Sequence, residues 1–177
     1  MVESKKNNRL NNIISNLSSS EEKKVFTALK QLRKHGKKDA IIPLIDLLSS
    51  TNNKEIKNEI TQLLFDLKDQ SVVDDLILAI ENENYINEKS ILISIFWQSS
   101  LDGSQHISNF IKQAIKSNYL VGIEVLSVID NYDTTFQETE IEDIKFDLDD
   151  AIEKDLTEKR DLLISIRSAI DSLSLEF

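Results

Sequence analysis

The 177-residue chain contains no cysteine, one proline and three glycines. Without cysteine it can form no disulfide, no thiolate metal site and no thiol-dependent catalytic centre. Glycine and proline punctuate short turns, so their scarcity leaves little room for the many turns of an all-β fold. The composition therefore favours long helices with short connections.

Long hydrophobic segments are also missing. No apolar run approaches the roughly 18 residues that a membrane-spanning helix needs. The first ten residues, MVESKKNNRL, carry charges without the apolar stretch of a secretory signal. We therefore expect no membrane association and a cytoplasmic location. The length suits one domain over 1–177, with 1–19 and 157–177 as terminal capping helices.

The charge is unevenly distributed along the chain. The net charge is −10, yet residues 1–40 carry +6 and the remainder carries −16. Such polarity can steer a partner or promote head-to-tail self-assembly, or it can simply reflect two solvated faces. The negative charge beyond residue 40 argues against nucleic acid as a partner.

Apolar residues recur at helical spacing in ten segments, so we expect ten helices and no strand. In the segment after residue 55, for example, Ile56, Ile60, Leu63, Leu64 and Leu67 form one stripe. Pro43 falls in the first turn of its helix, where its missing N–H costs least. Candidate helix starts, several of them capping boxes, are at Ser18 or Ser19, Asp39, Asn52 or Asn53, Ser71, Asn84 or Asn87, Ser104, Tyr119, Thr135 (with Glu138) and Thr157.

The stripes repeat every 32–35 residues. The first example is Val25, Ala28, Leu29 and Leu32, which recur as Ile60, Leu63, Leu64 and Leu67. A helix with one apolar stripe must stack on others to bury it. The period therefore predicts an all-α, right-handed α-α superhelix of about five helical hairpins.

The segments AIIPLIDLL and EIKNEITQLLFDLKDQSVVDDLILAIEN resemble HEAT repeats of the short bacterial kind. In that family the first helix of a unit opens with Val-Arg, ends near Gly-Asp and is joined tightly to a second helix. Ile56-Lys57 and Lys68-Asp69 stand at the corresponding positions here. The Asp of the joint between units is replaced by Asn52-Asn53, so no regular Asp–Arg ladder is expected.

The resemblance implies a non-catalytic protein-interaction module or scaffold whose groove is lined by the second helices. The outward polar positions of those helices are Asp46, Asp74, Asp75, Glu81, Lys112 and Asp147. Because most of these side chains are acidic, we expect a basic protein or peptide as the partner.

Two aromatic residues are further candidates for partner binding. Trp97 lies on a helix that is apolar nearly all round, so it is either an exposed anchor or part of an interior helix. Phe65 lies off the apolar stripe of its helix, so it either packs within its own repeat or faces a ligand. The interior interpretation is favoured for both.

Residues 136–158 contain ten acidic residues and two lysines. A calcium loop would need a glycine at its sixth position and a glutamate at its twelfth, and this helical segment offers no such glycine. We expect no metal site here, but either a solvated acidic face or one that receives a basic partner.

The sequence indicates no catalytic site and no cofactor. His35 and His106 are far apart, and each lies at a predicted helix end. Asp102, Ser104 and His106 fall within five residues, which suits helix capping better than a nucleophile–base–orienter chain. The alternatives that remain are a HEAT-like enzyme or lyase with an unrecognised site, and electrostatically driven self-assembly.

Overall fold

The computed structural model describes the backbone of residues 2–35 and 38–176, and the side chains of residues 8–34 and 38–176. Over these ranges the chain is all-helical apart from one pair of three-residue strands, which confirms the expected class. The ten α-helices are α1 Val2–Leu17, α2 Glu22–His35, α3 Ile41–Ser50, α4 Lys54–Phe65, α5 Val73–Glu81, α6 Lys89–Gln98, α7 Ile107–Lys116, α8 Tyr119–Asp130, α9 Glu138–Lys154 and α10 Lys159–Asp171. No helix in the described part of the chain is both long and apolar enough to cross a bilayer.

The chain divides into two compact units, Met1–Glu88 and Lys89–Phe177. In unit 1 the helices form two rows: α1, α3 and α5 lie side by side, and α2 lies beside α4. The rows are joined by packing of α1 on α2 and of α3 on α4. The apolar stripes meet between them, with Ile45, Ile60 and Leu64 fully buried. Each unit therefore has its own core.

Unit 2 has the same two-row construction. Helices α6, α8 and α10 form one row, and α7 and α9 form the other. The rows meet where α7 packs on α8 and α9 packs on α10. Helix α6 is buried on nearly all sides, including Ile93 and Ile95, which confirms the interior interpretation of this helix.

Several predicted helix starts are confirmed. Asn53 caps α4 by accepting hydrogen bonds from the backbone N–H groups of Glu55 and Ile56. Pro43 lies in the first turn of α3, and α8 begins at Tyr119. At Asn53 a short polar side chain, and at Pro43 a fixed φ angle, suits the first turn on local grounds alone.

Other predicted starts were wrong because a nearby carboxylate or amide takes the capping role. Asp69 accepts from the N–H of Ser71 at 3.1 Å, and Asp102 accepts from that of Ser104 at 2.9 Å. Each bond opens a short 3-10 turn, so the α-helix begins only afterwards. The described part of the chain contains four 3-10 turns, at Lys38–Ala40, Gln70–Val72, Glu83–Tyr85 and Ser104–His106. Helix α6 accordingly begins at Lys89 rather than at Asn84 or Asn87.

The expectation of no strand was also wrong. Strand β1, Thr135–Gln137, pairs in parallel with β2, Ser174–Glu176, and Phe136 lies opposite Leu175. Thr135 is therefore extended and does not cap α9, which begins at Glu138 without a side-chain cap. Phe136 is buried against Tyr132, with ring centroids 5.3 Å apart. This aromatic packing anchors strand β1.

Candidate partner-binding surfaces

The outward side of α5 carries three of the predicted partner-binding residues. Asp74, Asp75 and Glu81 lie opposite the buried stripe of this helix, and Asp75 forms an ion pair with Lys38 at 3.6 Å. Leu78 lies among them and is 64% exposed. We call Asp74, Asp75, Leu78 and Glu81 the α5 face.

Asp46 lies on the neighbouring helix of the same row, α3. Its Oδ1 accepts a hydrogen bond of 2.6 Å from the hydroxyl of Tyr85, a buried residue at the end of the turn that follows α5. This hydrogen bond, together with burial, raises the pKa of Tyr85 to about 12. One oxygen of Asp46 is therefore engaged inside unit 1, where it ties α3 to the end of α5.

Lys112 and Asp147 are brought together in unit 2. Both line a groove of about 740 Å³ between α7, α9 and the start of α10. Leu156 stands on the rim and is 93% exposed. The remaining lining residues mix charged and apolar side chains: Ile115, Lys116, Asp150, Ala151, Lys154, Asp155, Thr157 and Leu163. The groove can accept an apolar group, but its charges favour neither sign.

One end of this groove is fixed by a lysine that caps α7. The Nζ of Lys159 donates to the carbonyl oxygen of Ser117 at 2.7 Å and also to that of Ile115. Burial lowers the pKa of Lys159, and the nearby carboxylate of Asp155 opposes that shift. The cation satisfies carbonyl groups that the end of a helix leaves without partners.

Trp97 and Phe65 do not lie on either of these surfaces. The Nε1 of Trp97 donates to Glu124 Oε2 on α8 at 2.8 Å, and the indole is half-buried within unit 2. Phe65 is the half-buried last residue of α4, in the row of unit 1 that does not contain α5. Their roles as partner contacts stay predictions.

The acidic segment forms helix α9, which carries eight carboxylates and two lysines. Along the side of α9 that packs beside α10, Lys145 contacts Asp171 at 3.3 Å, and Arg167 contacts Asp149 at 3.0 Å and Asp171 at 2.5 Å. The hydrogen bond from Arg167, followed by that from Lys145, holds the pKa of Asp171 below its usual value. The outer edge of α9 carries Phe146, which is 74% exposed.

Sequence reasoning missed Leu78, Phe146 and Leu156. Each is a large, exposed apolar side chain with charged residues nearby. Leu78 and Phe146 depart from the stripe of their helix as Phe65 does, so that criterion, applied to every helix, would have found both. Leu156 lies between α9 and α10, where no helical stripe marks it.

The residues weighed for catalysis occupy structural positions. Asp102 caps the turn that contains Ser104, and His106 ends that turn half-buried. His35 is the last residue of α2, and its side chain lies outside the described residues. Among the described residues, no group of three or more His, Asp or Glu side chains could hold a metal ion.

Comparison with protein-family models, curated proteins and solved structures finds no significant match to this chain.

Proposed function

We propose that this chain is a non-catalytic protein-interaction module that binds a basic segment of another protein through the α5 face. The observation that supports this most directly is the exposed Leu78 surrounded by Asp74, Asp75 and Glu81. An apolar centre with a charged rim is the usual anatomy of a protein-binding surface. The carboxylates would select lysine and arginine, and Leu78 would take an aliphatic side chain between them.

The expected binding is transient. Exposed ion pairs contribute about 0.2–1 kcal/mol each, and the burial of one leucine contributes about 1.5–3 kcal/mol at most. Charge complementarity would mainly raise the association rate and choose the partner, so the binding should weaken as salt rises.

We further propose that the helices continue as a right-handed superhelix that resembles HEAT repeats, and that the protein acts in the cytoplasm. The two-row packing inside each unit supports this architecture, because stacked helical hairpins bury their stripes in this way. In such an arrangement the α5 face belongs to the row of second helices that was expected to carry the binding groove.

The proposal is tested by binding of a labelled peptide. The peptide has twelve residues, with lysine or arginine alternating with leucine. Its affinity is measured by fluorescence anisotropy, and its site is located from amide chemical shifts. We expect the shifts to cluster at residues 73–82. The triple variant Asp74→Asn, Asp75→Asn, Glu81→Gln should bind at least about tenfold more weakly, because three favourable ion pairs are lost.

A matched control separates a site from general attraction to an acidic protein. The variant Glu55→Gln, Asp130→Asn, Asp133→Asn changes the net charge equally at exposed positions elsewhere. It should bind the peptide within about twofold of the parent, because screening leaves distant charges little influence. Equal losses in both triple variants would overturn the proposal, as would shifts centred outside α5.

A further inference from the structure

We propose that this chain self-associates head to tail, with the lysine stripe of α2 in one copy docking on the acidic outer face of α9 in the next. The inference does not rest on the α5 face. It rests on two exposed helix faces whose charges are opposite and whose spacing is the same.

The first face is on α2. Lys23, Thr27, Lys30 and Lys34 are all exposed and follow one another at helical intervals of four, three and four residues. At 100° per residue they fall within an arc of about 60°, directly opposite the buried stripe of the helix. The whole helix carries five cations and one acidic residue. This face is therefore a straight, positively charged ridge.

The second face is on α9. Glu142, Phe146, Asp149 and Glu153 repeat the same four, three and four intervals and are all exposed. They too lie opposite the buried stripe of their helix, which consists of Ile141, Ile144 and Leu148. Further carboxylates, from Asp143 and Asp150, stand beside this line, and they are exposed as well. An exposed phenyl ring in the middle of an acidic ridge marks a surface that is suited to being covered.

The two ridges match in register. When the helices lie parallel, Lys23 faces Glu142, Lys30 faces Asp149, and Lys34 faces Glu153. On both helices the second and third charged positions lie about 10 Å and about 16 Å along the axis from the first, at 1.5 Å per residue. The fourth pair brings Phe146 against Thr27. The ring would then contact the methyl group of Thr27 and the hydrocarbon stems of the lysines beside it. A second copy of this chain therefore supplies both the charge and the spacing that the α9 ridge needs.

The charges of α9 are available to such a partner. Glu142 contacts Lys145 at 3.0 Å, and Asp149 contacts Arg167 at 3.0 Å, but all four side chains are partly exposed to water. Exposed ion pairs are weak and exchange readily, so a second cation can share the same carboxylate. On α2, the carboxylate of the helix's own acid, Glu22, accepts a hydrogen bond of 2.7 Å from Asn53 Nδ2.

The contact joins two different surfaces of the chain, α2 of one copy and α9 of the next. Each chain that docks through α2 still presents its own α9, and growth continues into open chains or a ring. The expected behaviour is a mass that rises with protein concentration and falls as salt rises from about 50 mM to about 500 mM, where screening shortens the reach of each charge.

Sedimentation of two neutralised variants tests this arrangement. The α2 variant is Lys23→Gln, Lys30→Gln, Lys34→Gln, and the α9 variant is Glu142→Gln, Phe146→Ser, Glu153→Gln. Each should remain a single chain at concentrations where the parent grows, with an association constant at least about tenfold lower. Mixed in equal amounts, they should form a species of two chains and nothing larger, because each variant keeps one intact ridge.

Two controls isolate the ridges. The variant Lys54→Gln, Lys57→Gln, Lys68→Gln makes the same change in net charge as the α2 variant, at positions outside both ridges, and should associate like the parent. Leu78→Ser, which removes the centre of the α5 face, should also leave the mass unchanged, so failure here and failure of the proposed function are distinguishable. Circular dichroism confirms that each variant is folded. A parent mass that stays at one chain at every concentration in low salt, or a mixture that stays monomeric, would overturn the proposal.

Discussion

The indole N–H of Trp97 donates a hydrogen bond to the carboxylate of Glu124 at 2.8 Å, and so links α6 to α8 inside unit 2. Trp97 is the only tryptophan in the chain, so intrinsic fluorescence reports on this one contact. Its polar group is already satisfied within the unit, which favours a packing role over that of a partner anchor.

Replacing Glu124 by alanine should lower the free energy of unfolding of unit 2 by about 1–2 kcal/mol, because a half-buried donor loses a charged acceptor. Glu124→Gln keeps an acceptor oxygen at the same place and should cost less. Urea titration followed by tryptophan fluorescence measures both. Equal costs for the two variants would mean that the hydrogen bond contributes nothing to stability.

Tyr85→Phe should weaken unit 1 in a pH-dependent way. The hydrogen bond to Asp46 raises the pKa of Tyr85 to about 12, so the folded state holds the phenolic proton more tightly than the unfolded state does. The stabilisation from this hydrogen bond, about 1.5–3 kcal/mol for a bond to a charged group, is complete below pH 10 and is lost as the pH rises towards 12. Urea titrations at pH 8 and pH 11 should show the difference between parent and variant shrinking.

Tyr119→Phe is the matched control, because Tyr119 is exposed on α8. It should leave the free energy of unfolding unchanged within about 0.5 kcal/mol at both pH values. A constant difference between parent and Tyr85→Phe across the range would contradict the role given to Asp46.

Gly103→Ala should destabilise unit 2 by about 1–3 kcal/mol, the usual cost of overpacking a core. A Cβ atom at this position would come within 2.6 Å of the ring of Phe96 and 3.0 Å of the ring of Phe110. The two rings pack edge to face with centroids 4.9 Å apart, so neither can move without disturbing the other. Thermal unfolding of the variant measures the cost.

Gly122→Ala provides the contrast. Its added Cβ atom would lie 2.7 Å from one terminal methyl group of Leu162, which can rotate away more easily than a ring can. Alanine is also favoured over glycine inside a helix by about 1 kcal/mol. The net cost should therefore be smaller than at Gly103, and the reverse order would show that the Phe96–Phe110 pair is more compliant than its geometry indicates.

Much of the helical framework could be predicted from local patterns. The stripe of α4 from Ile56 to Leu64 and the cap at Asn53 depend only on residues within a few positions of each other, and both are confirmed. The strand pair could not be found in this way, because β1 exists only by pairing with a distant segment. The polar–apolar alternation of SLSLEF was the one local indication of a strand.

The candidate surfaces were predictable only in part. The positions of Asp74, Asp75 and Glu81 on the outside of α5 follow from helical periodicity. That Lys112 and Asp147 line one groove depends on how α7 packs beside α9, which no local pattern specifies. The engagement of Asp46 by Tyr85 likewise joins residues 39 positions apart in sequence.

Asp171→Asn should remove stability at neutral pH but not in acid. Its carboxylate contacts Lys145 and Arg167, and these cations hold its pKa below the usual value. Because the pKa of Asp171 is lower in the folded than in the unfolded chain, its ionised carboxylate stabilises the fold fully above the unfolded-state pKa of about 3.9. This contribution is lost as the pH falls through the folded-state pKa. Because the carboxylate is exposed, the cost at pH 7 should be less than about 1 kcal/mol.

Chemical denaturation at pH 7 and at pH 2.5 measures this difference. The exposed Asp133→Asn serves as the control and should change little at either pH. A loss for Asp171→Asn that persists at pH 2.5 would assign the effect to packing rather than to charge.

The parallel pairing of Thr135–Gln137 with Ser174–Glu176 has a consequence for the order of folding. Neighbouring helices of unit 2 can assemble as soon as adjacent segments of chain are available. The two strands, in contrast, are separated in sequence by all of α9 and α10. Their hydrogen bonds can form only after this long segment has brought its two ends together. The strand pair should therefore form late in folding. Its amides should become protected against hydrogen exchange after those of α9 and α10, which lie between the two strands in sequence.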